Sequence, residues 1–364
     1  MMGVPFQHEA LPARVRFGTG TIATLAEEAE RLAVTRIVVL CTPGQRAKAE
    51  HAASFLPGRV AGIFDSAAMH TPVEVTEQAL TVVLALKADA VLAVGGGSAI
   101  GLGKAIALRT DLPQIVLPTT YAGSEATPIL GQTENGLKTT LRTLKVLPEV
   151  VIYDVDLTLT LPVGISMTSG LNAIAHAAEA LYSPDGNPLV SLMAEQGISS
   201  LVEGLPLIHR APQGLEGRTQ ALYGAWLCGS CLGLVGMALH HKICHTLGGT
   251  FDLPHAETHA IMLPHTLAYN LPAAHDVRTR LSRVLGSPQP ARALAELAER
   301  VGAPRALRDI GMPESGIAKA AEIAVRNPYA NPRPIDRGLI EAMLRRAWAG
   351  EWPAGEGEAA DAGV

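Results

Sequence analysis

Residues 90–108 read AVLAVGGGSAIGLGKAIAL, and the order of their parts decides the fold. An apolar run ends at Gly95, Gly96, Gly97 and Ser98 follow, and a helical pattern then opens. A short apolar run bounded by a turn signal reads as a strand buried on both faces, the kind found in parallel sheets. Glycines between such a strand and a helix let the main chain approach a bulky anion. The helix start behind them supplies free N–H groups and a partial positive charge. The same glycines also suit a plain tight turn, and their spacing is not the G-x-G-x-x-G of the usual dinucleotide fingerprint. On this stretch alone a phosphate cradle and a ligand-free turn both stay open.

Outward from it, β-type runs recur at 36–40 (RIVVL), 59–64 (RVAGIF), 114–120 (QIVLPTT) and 150–154 (VVIYD), with helical patterns at 21–33 and 73–88. Such alternation predicts an α/β domain with a parallel, Rossmann-like sheet over residues 1–156. The loop PTTYAGSE (118–125) leaves the carboxyl end of one of these strands, where open α/β sheets bind ligands. Thr119, Thr120 and Ser124 offer hydroxyls there for a ribose, a phosphate or an amide, although an ordinary Thr/Ser-rich turn looks the same.

From Pro162 the pattern changes. Ala- and Leu-rich stretches of helical period run over 163–182, 188–208, 217–250, 255–271 and 289–302 without strand signals, so residues 157–364 are predicted to be all-helical. Pro162 suits a first-turn position. The small, acidic tail WPAGEGEAADAGV (352–364) is expected to fray.

Composition removes several function classes. With 364 residues, 48% hydrophobic and 17% charged, the chain can bury two cores, which excludes a disordered protein. A net charge of −5 and 4% aromatic residues give nucleic acid nothing to hold. The N-terminus has no basic segment followed by an apolar one, and no apolar run reaches membrane-spanning length, so a cytoplasmic protein is expected. Cys228 and Cys231 form a C-x-x-C inside an apolar run, which reads as core packing rather than redox chemistry.

Twelve histidines occur in the chain, and His240, His241, His245, His255, His259 and His265 crowd into one segment. His241 and His245 share a helix face, as do Asn172 and His176 in GLNAIAHAAEA (170–180). Imidazoles so gathered bind metal, move protons, or hold an anion once protonated, whereas each alone is an ordinary structural histidine.

GGGS (95–98), PTTYAGSE (118–125), N-x-x-x-H (172–176), H-K-I-C-H (241–245) and LPH (253–255) together resemble the iron-containing alcohol dehydrogenase family, over almost the whole chain. The resemblance implies a dehydroquinate synthase-like architecture. A first domain would bind NADH or NADPH through Gly95, Gly96, Gly97, Ser98, Thr119, Thr120, Ser124 and Thr42, and a helical second domain would hold the substrate. The family's metal ligands, an Asp and three His, fall on Asn172, His176, His241 and His255, so the only anionic ligand is missing. His245 matches a further family histidine close to the nicotinamide, and Gly101 stands where metal-dependent members carry Asp.

The segments 118–140, 237–260 and NPYANPRP (327–334) are similar to one subgroup, whose members reduce the carbon–carbon double bond of maleylacetate to give 3-oxoadipate in the breakdown of aromatic compounds. From that likeness no catalytic metal is expected, a small dicarboxylate is the expected partner, and a homodimer is the expected assembly. His245, His241, His176, His255, Asn172 and Tyr329 are the expected catalytic group, with His245 as donor or proton relay. Arg333, Lys242 and Lys138 are candidate grips for the substrate carboxylates. The alternative is a metal-dependent alcohol dehydrogenase or aldehyde reductase of the same family.

Overall fold

A computed structural model of the chain describes residues 6–11, 13–134, 136–326 and 329–355, leaving aside the side chains of Leu137 and Lys138. The chain forms two compact units, Ala10–Leu161 and a second that takes in everything from Pro162 onward together with the described residues 6–9.

The first unit is built on a six-stranded sheet in the order β1-β8-β5-β4-β2-β3. Its strands are β1 (Arg14–Gly18), β2 (Ile37–Leu40), β3 (Val60–Phe64), β4 (Ala90–Gly95), β5 (Gln114–Pro118) and β8 (Val150–Asp154), and every pairing is parallel. Side chains alternate between two separate cores. Ile37, Val39, Leu92 and Val94 enter one, whereas Val38, Leu40 and Val91 enter the other, so both faces are covered. That is why the strands read as continuous apolar runs.

Four helices serve this sheet: α1 (Leu25–Arg31), α2 (Arg46–Ser54), α3 (Val73–Ala85) and α4 (Gly97–Thr110). The chain leaves β2 to one side for β3 and to the other for β4. The carboxyl ends of β2 and β4 therefore flank the topological switch point, which places Thr42 and the glycine turn together there. An antiparallel hairpin, β6 (Ile129–Glu134) with β7 (Leu137–Arg142), adds an element that hydrophobic periodicity does not reveal. The Asn135-Gly136 dipeptide was its available signal. β1 (RVRFG) was hidden by its charged residues.

The second unit is helical, with no strand among its described residues. It contains α5 (Val163–Leu181), α6 (Pro188–Arg210), α7 (Leu215–Leu234), α8 (Leu239–Phe251), α9 (His255–Asn270), α10 (His275–Leu285), α11 (Pro290–Arg300), α12 (Gly316–Ala324) and α13 (Arg337–Ala349). Pro162 stands just before α5, at its N-cap.

Two expectations need correction. The stretch 217–250 is not one helix: α7 and α8 meet at 95°, because Gly236 N–H turns to Asp185 and Ala238 N–H to Glu179 instead of continuing the ladder. The tail does not fray at its start. Trp352 lies between the guanidinium groups of Arg292 and Arg305, at 3.4 and 4.1 Å from its ring centroid. The remainder of that expectation, 356–364, lies outside the described residues. No single helix among the described residues is long and apolar enough to cross a membrane. All four cysteines are free and buried, and burial pushes the Cys231 thiol up to about 12.

Candidate active site

In the first unit the polar groups gather where β4 ends. Gly95 has φ +148°, a region that L side chains rarely enter. A Cβ on Gly96 would come within 2.8 Å of the Thr120 side chain. Thr119 N–H donates to the Gly95 carbonyl at 3.0 Å, which fixes the two loops against each other. Ser98 is half-buried in the first turn of α4, whose leading N–H groups have no partner within the helix. The Thr119 and Ser124 hydroxyls are buried without a hydrogen-bond partner among the described residues. A glycine-lined helix start beside orphaned hydroxyls suits a phosphate and an amide. Thr42 stands at the N-cap position of the short 3-10 turn after β2, with no capping bond from its side chain.

Beneath the Thr loop lies Lys104, which the sequence reading did not single out. Its ammonium is fully buried and donates to the carbonyls of Ser124 and Thr127 at 2.6 Å and of Ile129 at 2.9 Å. Burial lowers its pKa to about 7, against the pull of Glu125. Lys104 thus ties α4 to residues 124–129. Gly101, one turn before it, has Thr71 Oγ1 so close that a Cβ there would clash, and no Asp fits without a shift.

In the second unit α5, α8 and α9 bring histidines from three parts of the chain into contact. His176 Nδ1 lies 2.8 Å from His241 Nε2, and His241 Nδ1 lies 2.7 Å from the Glu179 carboxylate. A carboxylate only accepts, so His241 Nδ1 carries a proton. In the neutral ring Nε2 is then bare and receives the His176 N–H. Glu179 also accepts from the N–H groups of Ala238 at 2.9 Å, His240 at 2.7 Å and His241 at 3.3 Å, and from the Tyr182 hydroxyl at 3.2 Å. It is the anion at the N-terminus of α8. Burial pushes its carboxyl up, but the bond from His241 and the neighbouring imidazoles outweigh that and hold it at about 2.

The remaining imidazoles extend this pair. The His259 ring lies 5.1 Å from His241, 6.2 Å from His176 and 4.3 Å from His255. His255 is half-buried and stacks on exposed His245 at 6.4 Å, so the cluster runs from solvent into the core. Asn172 shares the buried face of α5 with His176, and its Oδ1 has no partner among the described residues.

The other expected residues are more spread. The Tyr329 hydroxyl is buried without a described partner, and the Lys242 ammonium stands 5.8 Å from the Tyr329 ring centroid. Arg333 is partly committed elsewhere: it donates to the Tyr269 carbonyl at 3.3 Å and stacks over that ring at 4.8 Å. Asn331 and Asn270 exchange side-chain hydrogen bonds of 2.7 and 3.0 Å, which anchors the segment carrying Tyr329 and Arg333. Asn327, Pro328 and the Lys138 side chain lie outside what is described. Glu179 and His259 went unassigned in the sequence reading. Their signals were spacing: Glu179 is seven residues after Asn172, and His259 four after His255, each on the same helix face as its predecessor.

Comparison with known proteins identifies the family. The family model for iron-containing alcohol dehydrogenase matches residues 12–155, and the one for the C-terminal part of the Fe-containing alcohol dehydrogenase family matches 166–348. The chain is 56% identical to the maleylacetate reductase of a Rhizobium species, covering 96% of this chain and 99% of the relative. The crystal structure of maleylacetate reductase from Agrobacterium tumefaciens is 55% identical with a TM-score of 0.93, over 96% of this chain and all (100%) of that one. The iron-containing alcohol dehydrogenase of Corynebacterium glutamicum is 43% identical with a TM-score of 0.91, over 98% and 99% of the two chains.

Proposed function

The chain belongs to the iron-containing alcohol dehydrogenase family, and we propose that within it the protein is a maleylacetate reductase that works without a catalytic metal. The 56% identity to such a reductase along nearly the whole chain carries the activity. Asn172, a neutral amide at the position of the family's anionic ligand, carries the metal-free reading.

NADH or NADPH, when bound, supplies the hydride. The glycine turn at Gly95, Gly96 and Gly97 with Ser98 would receive its phosphates, and Thr119, Thr120, Ser124 and Thr42 would offer hydroxyls to its ribose and amide groups. Maleylacetate is a dianion with an alkene conjugated to a ketone. Hydride addition at the carbon β to the ketone leaves charge on the ketone oxygen, and the α carbon then needs a proton. The Asn172 amide and His255 would donate to that charge, while His176 and His241, whose N–H groups go to His241 and Glu179, shape the pocket around it. His245, the exposed imidazole at the solvent end of the cluster, relays the proton. Lys242, Arg333 and the Tyr329 hydroxyl serve the carboxylates.

Two features of the donor set support the metal-free reading. A cation taking both His176 Nδ1 and His241 Nε2 would have to expel the proton shared across their 2.8 Å contact. It would find a neutral amide where the carboxylate stood. The neutral amide also spares the dianion a repulsion of about 1 to 4 kcal/mol at contact distance.

The test uses protein purified without chelator. Expected are oxidation of NADH by maleylacetate, no oxidation with simple aldehydes, and turnover without bound iron or zinc. The alternative, a metal-dependent alcohol dehydrogenase or aldehyde reductase of the same family, would be established instead by stoichiometric metal together with aldehyde reduction.

A further inference from the structure

The glycine turn that ends β4 has a strand on each side of it, and the two neighbours differ. On the β5 side stand the unpartnered hydroxyls of Thr119 and Ser124, which suit the nicotinamide amide. On the other side β2 runs through Thr42 and Pro43 into α2. A dinucleotide with its amide toward β5 extends its adenosine half toward β2 and, one strand further, β3. Neighbouring strands lie about 5 Å apart, so both strand ends fall within reach of a ribose next to the phosphates.

The loops leaving β2 and β3 are tied together. Cys41 N–H donates to the Phe64 carbonyl, and Ala67 N–H to the Cys41 carbonyl, both at 3.0 Å. Opposite charges meet across these loops. Arg46, the first residue of α2, donates from Nη1 to Asp65 Oδ2 at 2.7 Å, and Asp65 directly follows β3. Arg46 Nε donates to Glu50 at 2.9 Å, one helical turn on, and its Nη2 makes no hydrogen bond to another described residue. Arg46 and Asp65 are 49% and 36% exposed, and a pair so open to water adds little to stability. Elsewhere on the surface it would carry no functional reading. Here it sets a guanidinium and a carboxylate at the carboxyl edge of the sheet, beside the switch point.

We propose that Arg46 and Asp65 act as a pair that selects between nicotinamide nucleotides. Asp65 accepts a hydrogen bond from the adenosine ribose hydroxyl of NADH. With NADPH the Arg46 guanidinium turns from Asp65 to the 2′-phosphate, which it can meet with two parallel bonds. Each nucleotide thus finds one attractive group, and the other member of the pair limits how strongly that nucleotide is preferred. This rests on the reading of the glycine turn as the seat of the nicotinamide nucleotide.

The test measures Kd for NADH and NADPH by nicotinamide fluorescence, with 5′-AMP and adenosine 2′,5′-bisphosphate as displacing probes. Arg46→Gln is expected to weaken NADPH and the bisphosphate about tenfold or more, the worth of a charge-assisted hydrogen bond, and to leave NADH and 5′-AMP nearly unchanged. Asp65→Asn is expected to act in the opposite sense, tightening NADPH and weakening NADH by about threefold each. Opposite signs separate selection from scaffold damage, which would weaken both nucleotides together. Unchanged NADPH affinity in Arg46→Gln overturns the proposal, as does an equal loss of both nucleotides in either variant. If wild type binds neither nucleotide, the reading of the glycine turn fails and the pair's role with it. If both bind and their ratio stays fixed in both variants, only the role of Arg46 and Asp65 fails.

Discussion

On the proposed reading Asn172 would separate the chemistry of this chain from that of metal-dependent relatives, because an amide in place of a carboxylate removes an anionic ligand for a divalent ion. Asn172→Asp is expected to raise zinc affinity, read by elemental analysis after exposure to the metal. It should also lower kcat/KM for maleylacetate by about tenfold or more, in line with about 1 to 4 kcal/mol of repulsion. Unchanged metal content and kinetics would make Asn172 a bystander. Glu28 carries a second residue-scale expectation, for stability. Its buried carboxylate meets Arg14 at 2.9 Å, Arg16 at 2.6 Å and Arg31 at 2.8 Å. Burial raises its pKa, but the three guanidinium bonds overcome this and hold it at about 2. A carboxyl lowered on folding contributes stability that is complete above its unfolded pKa, about 4.3. That contribution is lost as pH falls toward 2. Glu28→Gln should therefore flatten the acid limb of the urea-unfolding profile over that window. An unchanged limb would mean that the Arg cluster contributes nothing there.

Helix α4 links the glycine turn to the Thr loop through Lys104. Lys104→Met leaves the Ser124, Thr127 and Ile129 carbonyls without this donor, at about 1–3 kcal/mol for each one that stays dry. The expected result is a Tm lower by several degrees and an NADH Kd raised about tenfold, with the Kd for dicarboxylate unaffected. A loss of stability with an unchanged NADH Kd would confine Lys104 to the scaffold. The strand–turn–helix around Gly95 was legible in sequence because apolar run, glycines and helical period occur in succession. The break between α7 and α8 was not, because residues 217–250 keep helical composition throughout. What breaks them is the competition of Glu179 and Asp185 for main-chain N–H groups, acids that lie on α5 and in the turn after it.

For the whole molecule, two expectations concern what reaches its interior and which nucleotide it accepts. Cys41, Cys228, Cys231 and Cys244 are all buried, so an aromatic disulfide reagent should find no fast-reacting thiol in the native protein and four after unfolding. A fast native thiol would contradict the packing. After β2 the chain offers Cys41 and Thr42 and no acid to repel a 2′-phosphate, so NADH and NADPH should both support turnover. A strong kinetic preference for NADH would count against this.

By itself the sequence determined the parallel α/β fold of the first half, the helical second half, the family, and the loss of an anion at position 172. These are readable because each rests on residues close together in the chain, whose period or motif records its environment. Tertiary structure alone decided which imidazoles touch, and that His241 Nδ1 bears a proton toward Glu179. His176 and His241 stand 65 residues apart, and helix spacing fixes a face but not what that face meets. Only the packing of α5, α8 and α9 sets Glu179 against His241 and Thr266 behind His240, leaving Nε2 of His259 buried without a partner among the described residues.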